Sequence, residues 1–390
     1  MQIKSKKQIA LLPFVYYFLP MILIAIVGLF ASVYLSVSHY RVYTDISYKS
    51  FCAISKSINC DTVSQSPYSI FINVPVPVWG VIGYVFFLFL MIFTLHGKAE
   101  KKRMWAVLMI TAGGYSLYSI ILAVISTFYI HSYCIMCIVT YAVNLLLLYY
   151  SWLIKKRFNN ENFLKSLKLD LRFLYEIKSL SLPVVASLLF CLLALPFSFK
   201  PYWNLVLPAF SMDIPKGTTE DGHPWIGAED PELVVTEFTD YRCFQCKKMH
   251  YYLRGLIAAH PDKIRLIHRH FPMDHEYNEI VREPFHVGSG KLSLIAIYAQ
   301  VKGKFWEMND LLFKLDRSES EINLKTIAKR TGLDFKEMAW AINSKPIKDR
   351  LKLDIWTGMK KRILGTPAFI INGNVYSAQI PPEIIKKVID

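Results

Sequence analysis

Six of the seven cysteines in this 390-residue sequence fall into three groups whose spacing suits thiol–disulfide chemistry. Cys243-Phe244-Gln245-Cys246 follows an apolar, strand-like run and opens a helical pattern. Helix-terminal amides and the helix dipole stabilise a thiolate there, so Cys243 is expected to be the exposed nucleophile and Cys246 the resolving thiol. Cys134-Ile135-Met136-Cys137 opens the second half of a long uncharged run. A Cys-x-x-Cys closes too small a loop to add much stability, so exchange is the chemistry expected of it. At the edge of hydrocarbon it can reach an acceptor that dissolves there, and a quinone (menaquinone or ubiquinone) is the two-electron candidate. Cys52 and Cys60 lie in a polar stretch between two apolar runs, placed to pass electrons between the other two pairs. A four-thiolate zinc site from Cys52, Cys60, Cys134 and Cys137 is the metal alternative; the seven-residue gap between the first two does not favour a compact zinc knuckle, and no metal is expected. Cys191, within an apolar run, reads as a small packing residue.

Two residues outside the pairs join them. Glu237, six residues before Cys243 on a hydrophobic strand, is expected to be a buried carboxylate that exchanges a proton with Cys246; a salt-bridged strand residue is the plainer reading. Gly365-Thr366-Pro367 enters another apolar strand, and a proline there suggests a cis bond beside which an incoming peptide pairs with backbone.

The elements that must carry these groups are of two kinds. Uncharged stretches at 11–37, 70–95 and 179–199 each match the ~20 residues that cross a bilayer, and 104–154 is long enough for two spans turning near Tyr129–Tyr133. Five helices result. The net charge of +15 is no sign of nucleic-acid binding, because much of it falls between apolar runs. Lys4, Lys6 and Lys7, then Lys98, Lys101, Lys102 and Arg103, then Lys155, Lys156, Arg157, Lys165, Lys168, Arg172 and Lys178 mark cytoplasmic segments. The cysteine-bearing loop and everything after Phe199 then face outward, where disulfides persist. The first apolar run is longer than a signal-peptide core, so it is expected to be retained.

From Pro196 on, Pro201, Pro208 and Pro215 with Gly217, Gly222 and Gly227 punctuate the sequence, and 201–230 reads as an extended tether. Strands are predicted at 233–238 and 264–268, helices at 243–255, 292–298 and 305–313, and a hairpin from 368–371 to 375–377 turning at Asn372-Gly373-Asn374. The fold class is an α-helical membrane bundle, with a four-helix core and a fifth linking helix, followed by an α/β domain. The expected domains are 1–160, 161–200, 201–230 and 231–390.

At this point the residues resemble known families. Cys52, Cys60, Ser66 and the run Cys134-Ile-Met-Cys137-Ile-Val-Thr140-Tyr141-Ala-Val-Asn144 resemble the bacterial vitamin K epoxide reductase family. Phe238-Thr-Asp-Tyr-Arg-Cys243-Phe-Gln-Cys246, His270-Phe-Pro-Met, Gly303-Lys-Phe-Trp-Glu-Met and Gly365-Thr-Pro-Ala-Phe-Ile-Ile-Asn-Gly resemble a DsbA-like thioredoxin domain. The resemblance implies that Cys137 faces the quinone, that Cys134 is reached by Cys60, and that Cys52 receives electrons from Cys243. It also implies that Tyr141 hydrogen-bonds a quinone oxygen and that Ser66 is a hydroxyl tied to the reactive pair; helix packing is the plainer reading of Tyr141. Where animal relatives carry a quinone-holding asparagine, this sequence reads Val76-Pro77-Val78-Trp79-Gly80, and Asn73 is the nearest substitute.

The reading is a multi-pass enzyme of the bacterial plasma membrane, N-terminus inside, oxidising reduced secreted or periplasmic proteins at the expense of quinone. An outward electron exporter would need a thiol supply from within the membrane, and Cys191 is alone there. A receptor or chaperone with structural disulfides would not need three pairs in relay order.

Overall fold

The computed structural model describes residues 14–55, 57–95, 104–158, 161–207, 214–315 and 322–389. The lysines and arginine at 4, 6, 7, 98, 101, 102 and 103, and Pro208 of the expected tether, lie outside them. The chain forms two units, Met1–Trp203 and Asn204–Asp390.

The first unit is helical. Its elements are α1 (Val15–Thr44), α2 (Cys60–Ser64), a hairpin of β1 (Ile70–Phe71) and β2 (Val74–Pro75), α3 (Val76–Phe93), α4 (Trp105–Ile125), α5 (Ile135–Phe158), α6 (Phe163–Glu176) and α7 (Lys178–Ser198). Five of these, α1, α3, α4 with its continuation to Ile130, α5 and α7, are long and apolar enough to cross a membrane. The second apolar stretch is not helical throughout. Ile72 and Asn73 take positive φ between β1 and β2, and the helix starts only after Pro75. The fold-back between α4 and α5 runs through a π-helical turn at Ser126–Ile130 and a left-handed His131.

Small residues set the helix approach, as expected where both lipid and protein are apolar. A Cβ on Gly28 of α1 would stand 2.4 Å from the Tyr84 ring of α3, and one on Gly80 would stand 2.7 Å from the Ser32 hydroxyl. Polar contacts then fix register: Tyr84 donates to Asn144 Oδ1 at 2.7 Å, and Asn144 donates to Ser119 at 2.8 Å. The connection after α5, expected only as a charged link, holds the amphipathic helix α6. Its buried Asp170 accepts from the Met104, Ala106 and Val107 amides and so caps α4.

The second unit is α/β. Its order is β3 (Lys216–Thr218), β4 (Pro224–Gly227), β5 (Leu233–Thr239), α8 (Phe244–Ala259), β6 (Ile264–His270), α9 (Ser289–Val301), α10 (Phe305–Lys314), α11 (Leu324–Thr331), α12 (Phe335–Ala341), α13 (Lys345–Lys360), β7 (Ala368–Ile371), β8 (Asn374–Ser377) and α14 (Pro382–Ile389). The sheet order is β3-β4-β6-β5-β7-β8; β5 runs parallel to β6 across the α8 crossover and antiparallel to β7. The expected tether is therefore shorter than 201–230, because β3 and β4 come from it. Its glycines are packing requirements. A Cβ on Gly217 would meet the Trp225 ring at 2.7 Å, and one on Gly227 would meet the Ile264 carbonyl oxygen at 2.0 Å.

Candidate active site

Each Cys-x-x-Cys begins a helix, and both do so in the same way. Cys243 is the N-cap of α8, and its Sγ accepts from the Cys246 amide at 3.3 Å. Cys134 directly precedes α5, and its Sγ accepts from the Cys137 amide at 3.2 Å. A sulfur so placed meets the positive end of a helix and satisfies one of its unpaired amides.

In the α/β unit, β5 delivers the pair and the loop before β7 faces it. The Thr366–Pro367 peptide is cis, and the Cys243 thiol donates to the Thr366 carbonyl at 3.5 Å. Burial works against ionising Cys243, but the hydrogen bond with Cys246 and the nearby positive charge of His286 outweigh it and bring the thiol down to about 7. Burial and the Cys243 charge push Cys246 well up. One nucleophile and one protonated partner result.

The carboxylate felt by both thiols is Asp240, which sequence reasoning passed over although it stands three residues before Cys243. Fully buried, it accepts from the Arg242 and Met273 amides, Ser289 and His286 Nδ1, the last at 3.0 Å. Its carbonyl accepts from the Cys243 amide. Asp240 thus ties His286, 22% exposed, to the loop that carries the nucleophile.

Glu237 is buried as expected, but its partners are histidines. His250 Nδ1 and His268 Nδ1 both donate to Glu237 Oε1 at 2.9 Å, and Asn309 links His250 Nε2 to the Tyr241 hydroxyl. Burial alone would raise the Glu237 carboxyl; the two imidazoles more than offset it and hold it below the ordinary range. The donor atoms of Glu237, His250 and His268 lie within 4.8 Å of one another, near enough to share a metal ion, and their hydrogen bonds account for the grouping without one.

In the helical unit, Cys52 and Cys60 form a disulfide, while Cys134 and Cys137 are free. Cys52, Cys60, Cys134 and Leu35 form one buried cluster, with Cys137 packed against it. Backbone pairing brings them together. The Asn59 amide donates to the Tyr133 carbonyl at 2.9 Å and the Tyr133 amide to the Ser57 carbonyl at 2.8 Å, one residue short of Cys60 on one side and of Cys134 on the other. Tyr141 stands one turn beyond Cys137 on α5; its hydroxyl interacts electrostatically with Cys137, Tyr118 and Ser126. The Ser66 hydroxyl donates to the Val63 carbonyl, and the Asn73 amide donates to the Pro196 carbonyl of α7.

Two dithiols capping helices, one in an α/β unit and one heading an apolar helix beside a disulfide, define a thiol–disulfide oxidoreductase. Residues 19–152 match the model of the vitamin K epoxide reductase family, and residues 219–390 match the thioredoxin model. The chain therefore joins a vitamin K epoxide reductase family domain to a thioredoxin domain. It is 23% identical over 175 residues to "Probable disulfide bond formation protein D" of Bacillus anthracis, covering 42% of this chain and 76% of that protein. It is also 26% identical over 149 residues to "Na(+)/H(+) antiporter NhaA 3" of Salinispora tropica, covering 38% of this chain and only 21% of that protein's length. Among solved structures, BdbD from Bacillus subtilis (oxidised) is 19% identical with a TM-score of 0.35, covering 45% of this chain and 97% of that one.

Proposed function

We propose that the chain oxidises thiols of secreted proteins outside the cytoplasm and delivers their electrons to a quinone in the bilayer. The observation that carries this reading is the Cys52–Cys60 disulfide packed in one buried cluster with the free Cys134, at the head of the apolar helix whose first turn holds Cys137.

A client thiolate attacks the oxidised pair at Cys243, and Cys246 leaves as the thiol. The client's second thiolate then attacks the client sulfur of the mixed disulfide and expels Cys243, whose low thiol pKa makes it a good leaving group, so the client departs as a disulfide. Cys243 then reduces the loop disulfide through Cys52, and Cys60 reduces the Cys134–Cys137 disulfide through Cys134. Each exchange moves two electrons and two protons, so a client dithiol plus quinone gives a client disulfide plus quinol. The quinone supplies the terminal two-electron sink. Cys137 faces it, Tyr141 orients an oxygen, and Pro367 presents backbone to the client. Glu237, on the strand that delivers the dithiol, exchanges the proton of Cys246 and is held by His250 and His268. An apolar groove of about 590 Å³ between α4 and α5, lined by Met109, Ile110, Leu145, Leu148, Tyr149 and Trp152 among others, suits a prenyl tail. Leu145, Leu148 and Trp152 continue the α5 face that carries Cys137 and Tyr141.

Orientation follows the positive-inside rule, with Lys155, Lys156 and Arg157 closing α5 on the cytoplasmic side. The test is anaerobic quinone reduction by purified protein in detergent with a reduced unfolded peptide as donor. Wild type should turn over, Cys137→Ala should abolish quinol, and Cys243→Ala should block only electrons that come from the peptide. If quinone stays untouched in all three while peptide disulfides are reduced, the flow is the reverse of that proposed.

A further inference from the structure

The geometry points to Asp61 as the proton-transfer residue of the exchange between the loop cysteines and the Cys134–Cys137 pair. The inference rests on the electron route proposed above, and it concerns a residue to which that route gives no task.

Asp61 follows Cys60 directly and is only 7% exposed, within a neighbourhood of sulfur and apolar side chains. One carboxylate oxygen, Oδ2, accepts from the Ser50 amide at 3.2 Å, which ties the residue to the chain two positions before Cys52. The other, Oδ1, is buried and has no hydrogen-bond partner among the described residues. An unmatched carboxylate oxygen in such a place is costly to bury, which argues for a task. The backbone pairing of Asn59 with Tyr133 sets Asp61 and Cys134 on adjoining segments, and their charges interact. Among the described residues, Tyr34 of α1 also faces this group, with Tyr48 beside it.

Thiol exchange needs a thiolate to attack and a proton for the thiolate that leaves. Starting from reduced Cys52 and Cys60 and oxidised Cys134–Cys137, Asp61 takes the proton of Cys60. The Cys60 thiolate attacks Cys134, a Cys60–Cys134 bond forms, the Cys134–Cys137 bond breaks, and Cys137 leaves with two electrons. Cys52 attacks Cys60, its own proton passing to Cys137. The Cys60–Cys134 bond breaks, and Cys134 receives the proton from Asp61. The end point is a Cys52–Cys60 disulfide with two free thiols at Cys134 and Cys137, which is the state of the described structure.

The experiment uses the full chain in detergent, with Cys134–Cys137 oxidised by excess diamide and then freed of it. A small dithiol is added, samples are acid-quenched at intervals, thiols are alkylated, and each pair is read by peptide mass spectrometry across a range of pH. Asp61→Asn keeps the shape and an acceptor for the Ser50 amide. It is expected to slow electron passage from the loop pair to the membrane pair on the order of a hundredfold and to flatten its pH dependence. Asp61→Glu, which keeps an ionisable group in a shifted place, should keep a pH dependence with a displaced midpoint, at an intermediate rate. Wild-type rate and profile in Asp61→Asn would overturn the proposal. So would equal losses in both variants with the wild-type pH profile preserved, since that marks a structural role. If Asp61→Asn does not fold, the Glu variant decides: a displaced pH profile supports proton transfer, and an unchanged one refutes it. Quinone is returned to a parallel sample: passage between the pairs in wild type with no quinol formed there would sink the quinone reading and leave Asp61 standing. No passage at all would end both.

Discussion

The two thiols of the α/β unit differ because each has a different neighbour. Cys243 caps a helix beside His286, whereas Cys246 is sealed behind it and bears the negative influence of Cys243 and Asp240. The alkylation rate of reduced Cys243 should therefore climb with a midpoint near pH 7, since the thiol ionises at about 7, while Cys246 stays unreactive through neutrality. His286→Gln removes the cation and keeps a donor towards Asp240. It should move the midpoint upward by about one unit and make the disulfide less oxidising, because the thiolate of the reduced form loses stabilisation. Iodoacetamide kinetics and a glutathione redox titration check both, and an unmoved midpoint would remove His286 from the site. At this scale the sequence showed which cysteines head helices, because spacing and the strand-to-helix context are local. It did not show Asp240, His286 or Asp61. Their significance depends on contacts such as the one between 286 and 240 that no local pattern encodes.

At the scale of elements, the relay proposed for the helical unit depends on a short backbone pairing. The stretch 57–59 pairs with Tyr133, and this pairing sets Cys60 beside Cys134. Tyr133→Pro deletes the amide that donates to Ser57 and should slow passage between the pairs on the order of a hundredfold, as misplacement of reacting groups does. The Cys243–Cys246 pair should still exchange with peptide at the wild-type rate. Quenched-flow alkylation separates the two, and full passage in the variant would show that the pairing is dispensable. The spans were legible because roughly 20 uncharged residues have few other uses. The hairpin before α3 was not, since Ile70–Pro75 is as apolar as the helix it precedes and only the backbone at Ile72 and Asn73 distinguishes it. Strands β3 and β4 were read as linker because Gly217, Gly222 and Gly227 stand among prolines, a composition that open tethers and tightly apposed edge strands share.

For the molecule as a whole, the division at Trp203–Asn204 indicates where the chain can be cut. A fragment spanning 204–390 should fold and retain thiol exchange. One spanning 231–390 lacks β4, loses its pairing of Trp225 and Ile226 with Ile267 and Leu266, and forgoes about 2 kcal/mol from Ile226 burial alone. Thermal melts of the two fragments test this, and equal midpoints would show that the first two strands are accessory.

Electron counting gives the disulfide between Cys52 and Cys60, with thiols at the other two pairs, a further meaning. The chain can occupy four oxidation levels in steps of two electrons, from fully oxidised to fully reduced, and the described state lies one step short of full. On the proposed route such a molecule would be a small reservoir as well as a conduit: with acceptor short it would still take electrons until all three pairs are filled, and oxidation of client thiols would outlast a brief loss of acceptor.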